Sequence, residues 1–159
     1  MSSLNLKKIR KDFSYALDII ERYEKALKGW KKNVTLDNKN IEIANVEQSS
    51  WLAYYDEIKV QLKIMLDYFD FLLKTQKAKD IKALMHSATK SMTDRMLDKL
   101  SEESQDYRDI FMIYLEIKEL YMTADSIVSQ LQQRGYAIKN IVEIRAKELQ
   151  GITLHLNDE

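Results

Sequence analysis

Residues 41–73 read IEIANVEQSSWLAYYDEIKVQLKIMLDYFDFLL, a stretch without glycine or proline. Ile41, Ala44, Trp51, Tyr55, Ile58, Leu62, Met65, Phe69 and Leu72 recur in it at alternating steps of three and four, and only Gln48 breaks the series. That rhythm lines one face of an α-helix, whereas a strand would need a period of two. The same rhythm runs through Leu6, Ile9, Phe13, Ala16, Ile20, Tyr23, Leu27 and Trp30. It returns in Tyr107, Ile110, Tyr114, Ile117, Tyr121, Ala124, Val128 and Leu131. Leu52, Leu66 and Leu73 widen the second stripe, and Ile113, Leu120 and Ile127 widen the third. Stripes broader than a coiled-coil seam fit antiparallel helices in a bundle. The spacing predicts an all-α fold with helices near 5–31, 38–77, 102–133 and 137–150, and a mobile connector with some helix over 80–100.

Composition agrees. The 159 residues include no proline and only three glycines, so the turn chemistry of a β-sandwich or a Rossmann-type fold is missing. Hydrophobic residues make up 45%, enough for a sizeable core, and the length suits a single helical domain, 1–159. Within it we distinguish an N-terminal extension helix (1–31), a long-helix core (34–133) and a C-terminal helix (135–151). Asp37-Asn38 offers N-cap chemistry for the second helix, and Ser101-Glu102-Glu103 places a capping hydroxyl before two acids. Gly135 reads as a left-handed C-cap with Tyr136 as its apolar contact, the alternative being a glycine inside one continuous helix.

The chemistry available is narrow. With no cysteine, thiol catalysis, disulfides, zinc ribbons and iron–sulfur clusters are excluded. Glycines at 29, 135 and 151 cannot build a phosphate-cradling loop. The only histidines, His86 and His155, sit in no motif; Glu116 with Glu119, and Asp67 with Asp70, share helix faces without a histidine to complete a metal site. We expect no catalytic residues, no metal and no cofactor, hence a non-enzyme. The longest apolar run, 110–115, falls far short of the roughly 20 residues of a membrane span, and no signal-peptide core follows Met1, so a soluble cytosolic protein without membrane contact is expected.

Charge is balanced, 25 basic against 25 acidic groups, but segregated. Residues 1–90 hold 17 basic and 12 acidic groups, and residues 91–159 hold 8 and 13. Lys74, Lys77, Lys79 and Lys82 fall together with only Asp80 opposing them, and Lys25, Lys28, Lys31 and Lys32 form a second basic group. Lysines so spaced can track a phosphate backbone, or simply solvate a helix end. Nine tyrosines and two tryptophans could stack bases. Tyr55, Tyr114 and Tyr121 lie on the stripes and read as core; Tyr54 and Tyr68 flank them and are less committed.

Gln133-Arg134-Gly135-Tyr136-Ala137-Ile138-Lys139-Asn140-Ile141, followed by Glu143, Arg145-Ala146 and Glu148, resembles the C-terminal signature of the UvsY family, the recombination mediators of tailed phages. Leu36-Asp37 and the segment with Trp51, Tyr54 and Tyr55 are similar to the start of that family's long helix, and Lys77-Ala78-Lys79 stands where it carries a Lys-Ala-Arg element implicated in single-stranded DNA binding. The resemblance covers roughly 34–151. It departs after Lys79, where Asp80-Ile81-Lys82-Ala83-Leu84 replaces the family's aromatics and leaves lysines as phosphate contacts; the first 30 residues exceed the family minimum.

The resemblance implies a small helical homo-oligomer, a ring of six or seven copies, in the cytoplasm of an infected bacterial host. It would bind single-stranded DNA through Lys74, Lys77, Lys79 and Lys82, displace the phage single-strand-binding protein and load a UvsX-type recombinase. The C-terminal segment would drive assembly through Arg134, Gly135, Tyr136, Ile138, Ile141 and Ile144; with Val142 and Leu149 it carries more apolar groups than a short helix can bury against itself. The alternative is a helical scaffold that binds only protein.

Overall fold

The computed structural model describes the backbone of residues 6–36, 40–87 and 92–155, all of it helix or short connection. Six helices follow in order: α1 (Leu6–Lys11), α2 (Ser14–Leu27), α3 (Lys31–Val34), α4 (Ile41–Ser87), α5 (Asp94–Glu102) and α6 (Gln105–His155). The chain is all-α as its periodicity predicts, with no strand among the described residues.

The helix ends differ from the sequence expectation for local reasons. The first stripe is three helices, not one. The Asp12 carboxylate accepts from the Ser14 N–H (2.8 Å) and restarts the chain as α2. Gly29 then adopts φ +79°, a left-handed conformation open to glycine at little cost, and separates α2 from α3. Asp37 and Asn38 lie outside the described residues; the cap seen on α4 is Asn40, whose side-chain oxygen accepts from the Glu42 N–H (2.8 Å). Helix α4 runs ten residues past the expected end at 77. The expected connector 80–100 is therefore helix over 80–87 and, from Asp94, α5, which Thr93 caps by accepting from the Met96 N–H.

Ser101 caps nothing. It ends α5 buried, its hydroxyl donating to the Asp98 carbonyl (2.7 Å), and Ser104 opens α6 instead by accepting from the Tyr107 N–H (3.2 Å). Gly135 is the largest correction. It lies inside α6, which continues unbroken, so there is no separate short C-terminal helix.

The chain divides into two compact units. The first comprises residues 1–26 and 59–122. Here Phe13 meets Phe69 (centroids 6.0 Å apart) and the Tyr23 hydroxyl donates to the Gln61 side-chain amide oxygen, so α2 runs antiparallel to α4. Lys63 over the Tyr121 ring (6.0 Å) and the Gln76–Asp106 hydrogen bond (3.5 Å) set α6 antiparallel to α4 as well. Between these helices Ile19, Ile20, Tyr23, Leu62, Met65, Phe69, Ile110 and Ile117 are buried. Leu73, a shoulder residue, is buried where the stripe position Leu72 is only half-buried.

The second unit comprises residues 27–58 and 123–159. Its core is Leu27, Ala44, Tyr55, Ile58, Ala124, Ile127, Val128, Leu131 and Ile138. The Asn33 amide donates to the Tyr55 hydroxyl (2.9 Å) and pins α3 to α4. Burial holds the Tyr55 phenol above its ordinary pKa, against the opposing pull of that hydrogen bond.

Fully burying an aliphatic side chain stabilises by about 1.5–3 kcal/mol, and truncating it adds the cost of the cavity left behind. Leu62→Ala, at a site with no solvent exposure, should cost about 2–5 kcal/mol in urea unfolding, while Ile64→Ala, at 43% exposure, should cost less than about 1 kcal/mol.

Candidate nucleic-acid interface and assembly surface

The four lysines expected to meet phosphate lie on the C-terminal part of α4, in the first unit, but they are not equivalent. Lys74 is exposed and pairs with Asp70 one turn back (2.5 Å). That hydrogen bond raises its pKa, yet such solvent-exposed pairs are weak and exchange readily. Lys77 is half-buried and holds two carboxylates of α5, Glu102 at 2.8 Å and Asp98 at 3.3 Å. The hydrogen bond to Glu102 is the main cause of its raised pKa, with desolvation opposing and Asp98 reinforcing. Its charge is thus spent tying α5 to α4. Lys79 and Lys82 are exposed and make no ion pair among the described residues. Spaced three apart, they share one helix face. Asp80 between them is turned to other work, accepting from the Ser104 hydroxyl (2.7 Å) and the Gln76 amide (2.9 Å).

The six residues expected to drive assembly separate into inner and outer sets, all within the second unit. Arg134 is 4% exposed and Ile138 1% exposed, so both are core of this chain. Ile141 is half-buried. Tyr136 (71%) and Ile144 (57%) stand in solvent, as does Val142. The side chain of Leu149 lies outside the described residues.

Gln48, the one polar break in the α4 stripe, explains the inner set. Its amide nitrogen donates to the Leu131 carbonyl (2.5 Å), and its amide oxygen accepts from Arg134 Nη1. Burial pulls the Arg134 guanidinium below its ordinary pKa and the Glu47 charge opposes that shift. Its Nε and Nη2 have no hydrogen-bond partner among the described residues, which makes the Gln48 bond the more valuable. Gly135 serves the same contact. A Cβ there would stand 3.1 Å from Gln48 Nε2, so the missing side chain lets α6 approach the glutamine. A signal for this cluster was present in the sequence: Gln48 and Arg134 both fall at apolar phases of their stripes, and two polar groups so placed must find each other.

A second feature was only half visible. Trp51 and Tyr54, with Val46, Glu47 and Ser50, line an open and largely apolar groove of about 360 Å³. Trp51, Tyr54 and Tyr55 pack as one aromatic group, with ring centroids 5.0–6.2 Å apart. Tyr114 and Tyr121, expected in the core, are half-buried beneath the ammonium groups of Lys118 and Lys63. Among the described residues no cluster of acidic or histidine side chains could hold a metal ion, and no helix is long and apolar enough to cross a membrane.

Comparison with solved structures bears on the fold. A crystal structure of the bacteriophage T4 recombination mediator protein UvsY aligns with a TM-score of 0.59 over 79% of this chain and 98% of that one, at 17% sequence identity. The chain has the fold of UvsY. About a fifth of it has no counterpart in that structure, whereas almost all of UvsY has one here. No family model matches the sequence, and no curated protein does. The likeness therefore lives in the helical framework.

Gly135→Ala tests the inner contact by setting two effects against each other. Alanine improves helix propensity by about 1 kcal/mol, while its methyl group displaces a doubly bonded glutamine. The substitution should destabilise the natural chain but stabilise a Gln48→Ala variant by about 1 kcal/mol, read as a double-mutant cycle by thermal unfolding.

Proposed function

We propose that this protein is a recombination mediator that binds single-stranded DNA and promotes loading of a UvsX-type recombinase in phage homologous recombination and repair, displacing the phage single-strand-binding protein. The observation that carries the reading is the fold shared with the T4 recombination mediator over almost the whole of that protein. The sequence from Gln133 to Glu148, similar to the family's C-terminal signature, supports it independently. The protein acts without catalysis, in the cytoplasm of the infected host.

The mechanism is multivalent. Each subunit offers Lys79 and Lys82 to phosphates, joined by Lys74 when it releases Asp70. Lys77 contributes through its hold on α5, since its ammonium already faces two carboxylates. Two or three phosphate contacts per subunit are weak, and a closed ring of subunits multiplies them through effective concentration. Tyr136 and Ile144 supply the surface for such an assembly: they are apolar, exposed and about two turns apart on one side of α6, while Ile138 faces inward.

The intramolecular pairing of Lys74 and Lys77 favours a second reading, a scaffold that binds only protein. Fluorescence anisotropy with a labelled oligonucleotide, at low and moderate salt, separates the two. We expect binding that weakens with salt, and Lys79→Ala with Lys82→Ala should flatten the slope of log K against log salt by about 1.4. Absence of binding at low salt would leave the scaffold. Assembly is tested separately: Tyr136→Ser with Ile144→Ser should yield smaller species in analytical ultracentrifugation, with helicity unchanged because both side chains are exposed.

A further inference from the structure

We infer that the second unit carries its own single-stranded DNA contact, in which Lys28, Lys31 and Lys32 hold phosphates and the Trp51–Tyr54 groove stacks a base. The inference rests on the DNA-binding reading above but places a contact on residues that reading does not use.

The local chain is built for an anion. Between residues 27 and 36 there are three lysines and no acid. All three are exposed, and none makes an ion pair among the described residues. Gly29, at φ +79°, turns the chain between α2 and α3, so Lys28 stands before the turn and Lys31 and Lys32 after it. The turn is closed by the Lys32 N–H donating to the Gly29 carbonyl (3.2 Å) and the Asn33 N–H to the Trp30 carbonyl (2.9 Å).

The aromatic half is adjacent. Asn33 follows Lys32 directly and donates to the Tyr55 hydroxyl. Tyr55 packs edge-on against Tyr54 (5.0 Å) and lies 6.2 Å from Trp51. One hydrogen bond therefore anchors the lysine turn to the aromatic group whose outer members line the groove. Glu47, the acid in that lining, is coupled to the Arg134 charge. Exposed lysines in the segment that holds Tyr55, and a tryptophan and a tyrosine packed on that Tyr55, match a single strand, which exposes both phosphates and unstacked bases; a duplex hides the bases, and an acidic peptide would leave the rings unused. The Lys74–Lys82 segment carries no comparable aromatic group.

The chain's two tryptophans, Trp30 and Trp51, both belong to this region, so tryptophan emission reports on it directly. The full-length protein is titrated with 5′-labelled oligothymidylate of about 15 nucleotides, reading anisotropy and tryptophan emission together. We expect emission to be quenched in step with binding. Changing Lys28, Lys31 and Lys32 to Gln should flatten the salt slope by about 2. Trp51→Ala should weaken binding about tenfold, and Trp51→Phe, which keeps a stacking ring, should retain affinity while losing most of the quenching. Binding by anisotropy with unchanged emission and an unchanged slope in the lysine variant overturns the site and leaves the DNA-binding reading standing. No anisotropy change at low salt overturns both. Equal quenching by polyglutamate assigns the groove to an acidic protein partner and also overturns the site.

Discussion

The apolar stripe of α4 can leave water only against other helices, and the rest of the fold is the set of segments that cover it. In the first unit α2 and α6 run antiparallel to it and close over Leu62, Met65 and Phe69. In the second, α3 and the later part of α6 belong with Tyr55 and Ile58. With no proline or glycine between residues 41 and 87, nothing stops the helix, and its length follows from that absence as much as from its caps.

The polar cluster in the second unit adds specificity to this apolar scheme. Gln48, Arg134 and Gly135 form one contact: a glutamine bonded to a buried guanidinium and to a carbonyl, and a glycine that makes room for it. An apolar stripe tolerates a shift of register, because one methyl group packs nearly as well as its neighbour. A buried cation hydrogen-bonded to one glutamine does not, since displacement breaks that bond in a place water cannot reach. Beside the cluster α6 has an inward side that includes Ile138 and an outward one that presents Tyr136 and Ile144. Surfaces available to partners thus depend on which residues the chain needs for itself.

The helical phase was legible because it is a local property, repeated often enough to outweigh exceptions such as Phe13, which is 40% exposed yet packs on Phe69. Helix ends were less legible because competing caps are locally equivalent. Ser101 and Ser104 are both serines near acids, and only packing buries the first and leaves the second to open α6. Gly135 suits a C-cap and a close approach equally well until Gln48 is placed beside it. Among the lysines, spacing grouped four. It could not reveal that Lys77 meets Asp98 and Glu102 while Lys79 and Lys82 meet none, because those carboxylates arrive from a different helix.

The sequence by itself determined that this protein is helical, that three stripes must be buried, and that cysteine and glycine-loop chemistry are outside its reach. It also carried enough of the C-terminal signature to point at a family whose fold the structure shares at 17% identity. Tertiary structure alone decided that Lys77 is held by two carboxylates of α5, that Gly135 lies within a helix, and that Trp51 and Tyr54 line a groove on α4. The division has one physical cause. Periodicity depends on neighbours three and four residues away, whereas the partners of Gln48, Lys77 and Asn33 lie 21 to 86 residues distant and become neighbours only when the helices pack.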